Sequence, residues 1–142
     1  MTEFDYKAPP MVFPGQGPEH AYRTAYEFLA QRLPNEALDL ITPALADDPT
    51  NSGLRQLQAW AFMVRAQLGR AEEVLSALVE ERPDDVWSRH ALGRVLERQS
   101  RHADALGHLK LAAAMSDDYD HQASVYRVTR AIERDAGTPA AE

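Results

Sequence analysis

The chain contains no cysteine, which excludes disulfides and thiolate metal sites. Lysine is almost missing. Of fifteen basic residues only Lys7 and Lys110 are lysines, against 22 acidic ones, for a formal charge of −7. An acidic chain repels a phosphate backbone, so no nucleic-acid partner is expected. No apolar run approaches the roughly 20 residues that span a bilayer, so no membrane partner is expected either. The opening MTEFDYKAPP lacks a basic n-region and an apolar h-region, and does not read as a secretory signal. These absences together point to a cytoplasmic protein. Abundant Ala and Arg with scarce Lys suggest a bacterial source.

Catalytic signatures are missing too. The sequence holds no H-E-x-x-H, no G-x-S-x-G and no phosphate loop. His102 and His108 lie on different sides of a helix, and His20, His90 and His121 are far apart in sequence. No metal, no cofactor and no catalytic residue is expected. Acidic pairs such as Glu72-Glu73, Glu80-Glu81 and Asp84-Asp85 read as solvated faces and helix caps. Negative charge at Asp84-Asp85 and Asp117-Asp118 suits the helix N-termini expected there.

What the chain does have is a repeat. The stretch NEALDLITPALADDP at 35–49 returns at intervals of 34 residues. Ala37 falls in step with Ala71 and Ala105, Ile41 with Leu75 and Leu109, and Ala44 with Leu78 and Ala112. Upstream, Ala25, Ala59 and Gly93 align, as do Phe28, Phe62 and Leu96. Self-similarity at this period marks a helical repeat array. The pattern resembles the tetratricopeptide repeat family, whose unit is a helix–turn–helix of about 34 residues.

The expected fold is all-α: a right-handed α-solenoid of three such repeats with a C-terminal capping helix. Residues 1–17 read as a Pro/Gly-rich extended arm, either a disordered terminus or a segment that docks on the array or on a partner. The repeats occupy 18–51, 52–85 and 86–118, the cap 119–136 and a tail 137–142. The arm holds Pro9, Pro10, Pro14, Gly15 and Gly17, which forbid a regular helix. It also holds Phe4, Tyr6, Met11, Val12 and Phe13, which are apolar anchors. Its VFPGQG motif resembles the opening of acyl-carrier-protein acyltransferases, but the serine elbow of those enzymes is missing.

The first repeat places helix A over 19–32 and helix B over 35–46, bent at Pro43. In the second repeat two registers compete. One puts Ala71 at the small position of helix B. The other takes Gly69-Arg70 as the turn, extends helix A over 52–68, and puts Val74 there with helix B over 70–82. The glycine favours the second register. The third repeat places its helices over 84–99 and 102–115. The cap, 119–135, carries an apolar stripe of Val125, Val128, Ala131 and Ile132.

In the family this chain resembles, helix A lines the concave face at repeat positions 2, 5, 9 and 12. Carried across, the resemblance implies a partner-binding groove of Tyr22, Tyr26, Leu29, Gln56, Trp60, Met63, Trp87, His90 and Arg94. Aromatic residues, Met and Arg are the types enriched at interface cores. Trp60 and Met63 equally suit the filling of space between close-packed helices. The clamp by which some family members hold chaperone C-terminal tails requires Lys, Asn and Arg at set positions. Here those positions carry Tyr22, Tyr26, Leu57, Trp87 and Ala91, so that mechanism is not expected.

The expected function is a protein–protein interaction module, adaptor or co-chaperone-like, that binds a protein or peptide partner in the groove. The alternative is self-assembly, with residues 4–14 docking on the chain's own groove or on that of a neighbouring copy, as a homo-oligomer would.

Overall fold

The computed structural model describes residues 6–10 and 19–137. The expectations for Phe4, Met11, Val12 and Phe13, for VFPGQG and for the tail 138–142 lie outside the described residues. Among the described residues there are seven helices and no strand: α1 Glu19–Ala30, α2 Pro34–Asp47, α3 Ser52–Val64, α4 Leu68–Glu81, α5 Val86–Arg98, α6 His102–Ala114 and α7 Tyr119–Gly137. They form two compact units, residues 1–81 and 82–142.

The period of the sequence reappears in the backbone. Three non-glycine residues have positive φ: Arg32 at 60°, Ala66 at 58° and Ser100 at 60°. Each ends a helix A in the same way. The N–H of the next residue reaches back to the carbonyl of Phe28, Phe62 or Leu96, and its own N–H to that of Leu29, Met63 or Glu97. This is the Schellman closure, which satisfies carbonyls left open at a helix C-terminus. The residue after each closure then accepts the first backbone bond of helix B, from Ala37, Ala71 or Ala105. One left-handed residue thus joins helix A to helix B within three residues.

The entries into helix A repeat as well. Asn51 accepts a hydrogen bond from the Leu54 amide at 3.0 Å, and Asp85 one from the Ser88 amide at 3.0 Å. Both are N-caps, and they stand one period apart. Pro34 is the first residue of α2, where its missing N–H costs nothing. The helix runs on through Pro43.

The second repeat corrects the glycine-based register. Helix A ends at Val64, not at 68, and helix B opens at Leu68. Ala71 is fully buried and Val74 only half-buried. The turn residue is Ala66, and Gly69 lies exposed in the first turn of α4 with nothing within 4 Å of a Cβ built on it. The glycine misleads because the left-handed position here is filled by a residue with a side chain.

Packing follows the repeat. In the first unit α1 packs on α2 and α3, and α3 on α4; in the second α5 packs on α6 and α7, and α6 on α7. Ala37, Ala71 and Ala105 are fully buried, as are Ile41, Leu75 and Leu109. Small residues Ala25, Ala59 and Gly93 let helix A approach helix B. At Gly93 the approach leaves no room for a side chain: a Cβ there would sit 2.5 Å from Leu109 Cδ2.

α7 buries His121, Ser124, Val128 and Ala131, whereas Val125 and Ile132 are half-buried. His121, Ser124 and Val128 stand 33 residues after Ser88, Ala91 and Val95, which α5 buries. The last helix therefore repeats the helix-A face with a slip of one residue. That slip turns its inner face from the expected stripe toward a histidine and a serine.

Candidate partner-binding site

In the first unit the expected residues come together on α1 and α3. Tyr22 and Tyr26 share a face because residues four apart on a helix align. Their ring centroids are 6.2 Å apart, and Tyr26 meets Trp60 edge-to-face at 5.4 Å. Both distances fall in the range of favourable aromatic pairs. Leu29, Trp60 and Met63 are buried at 1%, 5% and 2% exposure, and Gln56 is buried beside them in α3.

Residues 6–10 lie against this cluster. The Tyr26 hydroxyl donates to the Pro9 carbonyl oxygen at 2.9 Å, and the Tyr22 hydroxyl to that of Pro10 at 3.4 Å. Pro9 is fully buried and Pro10 exposed. Burial pushes the Tyr26 hydroxyl above its usual ionisation range, so it stays a protonated donor. Beside the segment lies a cavity of about 120 Å³ lined by Tyr6, Leu29, Ala30, Arg32, Trp60 and Val64.

In the second unit Trp87, His90 and Arg94 lie on α5, all half-buried. Here the face meets α7. The rings of His90 and His121 stack at 4.2 Å, and His90 Nε2 shares a 3.3 Å hydrogen bond with Ser124 Oγ. Glu97 accepts from Arg127, whose terminal nitrogen is 2.7 Å from Oε1, and lies 3.3 Å from Arg94 Nε. Burial first, then the charges of His121, Arg94 and Arg127, lowers His90 from 6.5 to about 3. His90 is therefore neutral at physiological pH.

Sequence spacing missed this cluster because His121, Ser124 and Arg127 stand outside the helix-A register. The 33-residue offset from Ser88 was the available signal. The cluster offers packing and hydrogen bonds. Among the described residues no group of three or more His, Asp or Glu side chains is placed to hold a metal ion. No helix among them is long and apolar enough to cross a membrane.

Residues 28–95 match the profile of the tetratricopeptide repeat. That stretch, 68 of the 142 residues, is what the chain shares with the tetratricopeptide repeat. The matched span runs from Phe28 in α1 to Val95 in α5, across the register that the Ala66 turn defines. No curated protein sequence matches the chain. Solved tetratricopeptide repeat domains share its fold. The first such domain of human RPAP3 superposes with a TM-score of 0.76 at 14% identity, covering 83% of this chain and 94% of that one. The Sgt2 domain from Aspergillus fumigatus gives a TM-score of 0.76 at 20% identity, over 87% and 86%. The first domain of Spaghetti (RPAP3), solved with the HSP90 peptide SRMEEVD, gives 0.75 at 15% identity, over 80% and 94%. At these identities the likeness speaks for fold.

Proposed function

We propose that this protein is an interaction module, adaptor or co-chaperone-like, which holds an extended segment of a partner protein on the helix-A faces of its repeats. The observation that carries the reading is the first-unit pocket: the hydroxyls of Tyr22 and Tyr26 donate to the carbonyls of Pro10 and Pro9, and the Tyr26 ring packs edge-to-face with Trp60. A solved neighbour of the same fold holds a peptide, which supports the class. The peptide itself does not transfer, because the chaperone-tail clamp is replaced here by Tyr22, Tyr26, Leu57, Trp87 and Ala91.

On this reading Tyr22, Tyr26, Leu29, Gln56, Trp60 and Met63 serve one contact surface, and Trp87, His90 and Arg94 another. The reading assigns no catalysis. Its test is affinity capture with wild type and Tyr26→Ala as parallel baits, with circular dichroism to verify that the variant is folded. A prey held by wild type and lost from the folded variant supports the reading. A prey held equally by both moves the interface off this surface.

A second reading has its own support. Residues 6–10 already occupy the pocket, and on this second reading the arm is a self-docking element that covers the site in cis or joins copies in trans. Deleting residues 1–10 should then redden Trp60 emission, and should lower the oligomer mass if copies exchange arms. Unchanged emission and mass would reject it.

A further inference from the structure

The pocket in the first unit is occupied by Ala8-Pro9-Pro10, and the chemistry of that occupant is specific. Pro9 is fully buried against α1, and proline has no N–H to leave unsatisfied there. Any other residue would carry a donor into a wall of rings that offers hydroxyl donors. What the segment presents to the pocket is a pair of consecutive carbonyls, and the pocket answers with Tyr26 at 2.9 Å and Tyr22 at 3.4 Å. Ala8 and Pro9 each precede a proline, which biases both toward extended backbone before binding. Tyr6, three residues before Pro9, lines the 120 Å³ cavity together with Leu29, Trp60 and Val64. It leaves room there for a different side chain.

We infer that this pocket selects proline-pair segments of partner proteins, and that the chain's own residues 6–10 are a built-in competitor for it. The inference rests on the groove reading above and names the chemistry of its ligand. Aromatic walls with hydroxyl donors suit proline helices, since the ligand loses little freedom on binding and offers unsatisfied carbonyls. A tethered occupant has a local concentration in the millimolar range. An external segment therefore binds wild type weakly, and gains access when the arm's own prolines are weakened.

The test uses the full chain with Trp87→Phe, which leaves Trp60 as the only tryptophan. Pro9→Ala with Pro10→Ala weakens the arm without removing it. Two synthetic peptides are titrated, FDYKAPPMV and FDYKAAAMV, following Trp60 emission and, independently, the heat of binding. The expected result is that the proline peptide shifts Trp60 emission and binds at least tenfold tighter than the alanine peptide. It should also bind the weakened-arm chain at least tenfold tighter than the chain with an intact arm. Adding Tyr26→Phe, which removes only the hydroxyl, should weaken the proline peptide about fivefold.

Equal binding of both peptides with a Trp60 shift would overturn the proline inference and leave the groove reading standing. Heat of binding without any Trp60 shift would overturn the groove reading itself. No binding of either peptide would overturn the proposed ligand class. A wild-type dimer that the Pro9→Ala, Pro10→Ala chain loses would make the occupant a second copy's arm, and would overturn the external partner.

Discussion

At repeat positions 5 and 9 the first unit carries Tyr22, Tyr26, Gln56 and Trp60, and the second carries His90 and Arg94. The backbones around them are built alike, with the same closures and the same buried Ala and Leu positions. What differs is the cover. In the first unit an extended stretch with two prolines lies on the face, and two hydroxyls meet its carbonyls. In the second unit the face meets α7, whose side chains answer in pairs: His121 against His90, Arg127 against Glu97. The repeat thus dictates core and turns, and leaves the helix-A face free to take whatever chemistry its cover requires.

The sharpest way to break the second face is to remove its central carboxylate. The Glu97 side chain is 15% exposed, between Arg94 at 17% and Arg127 at 46%. Without it, two guanidiniums are left near each other and near the His90–His121 stack. Breaking one side of a fully buried pair costs about 3–5 kcal/mol. Water reaches Arg127, so Glu97→Ala should cost about 2–3 kcal/mol, read as a lower urea midpoint. Hydrogen exchange should place the loss in α5 and α7 and leave α1 and α3 unchanged.

The next effect is pH-dependent and belongs to the same unit. His90 is lowered from 6.5 to about 3, by burial before anything else. The unfolded chain therefore binds a proton at His90 across this window and the folded chain does not. Stability is full above about pH 6.5 and falls as pH drops toward 3. Between pH 8 and pH 5 the loss should be about 2 kcal/mol. His90→Gln should flatten most of that slope. The charged groups around it, His121, Arg94, Asp118 and Arg127, stay in place in this variant. An undiminished slope would assign it elsewhere.

These two predictions concern residues that the sequence made only half legible. The period exposed the core, because Ala37, Ala71 and Ala105 or Ile41, Leu75 and Leu109 must be small or apolar wherever helices touch. It also placed Tyr22, Tyr26 and Trp60 on neighbouring helix faces. It did not expose the cover. His121 meets His90 only because α7 slips by one residue against the repeat, and nothing local in the sequence announces a slip. The turn of the second repeat was hidden for a similar reason. A left-handed residue is easiest to find when it is glycine, and here the only nearby glycine, Gly69, is not the one that turns.

Smaller effects sharpen the comparison of the two units. At Gly93 α5 lies close against Leu109 of α6. The Cβ of Gly93→Ala would press on Leu109, with 2.5 and 2.6 Å to its Cδ2 and Cγ. Overpacking costs about 1–3 kcal/mol and alanine returns about 1 in helix propensity, so a net loss of up to about 2 kcal/mol is expected. Gly107, in α6, has nothing within 4 Å of a built Cβ. Gly107→Ala should therefore gain about 1 kcal/mol, and thermal melts of the two variants should move in opposite directions. In the first unit Tyr26→Phe removes one donor to Pro9 and should cost about 1 kcal/mol. Hydrogen exchange should show that loss in α1 and α3, the mirror image of Glu97→Ala.

The smallest effect tests whether the two units share their turn. Ala66 in the first and Ser100 in the second sit at φ of 58° and 60°, where a side chain crowds the backbone. A left-handed residue with a Cβ is strained by about 1–2 kcal/mol, and glycine is not. Glycine in turn has more freedom to lose on folding, about 0.5–1 kcal/mol. Ala66→Gly and Ser100→Gly should each stabilise by about 0.5–1 kcal/mol. The two sites belong to different units and share no closure, so their gains should add. Unequal gains would mean that one closure carries strain the other does not. If neither variant gains, the helices themselves impose the left-handed turn on whatever residue stands there, and the period is enforced by packing alone.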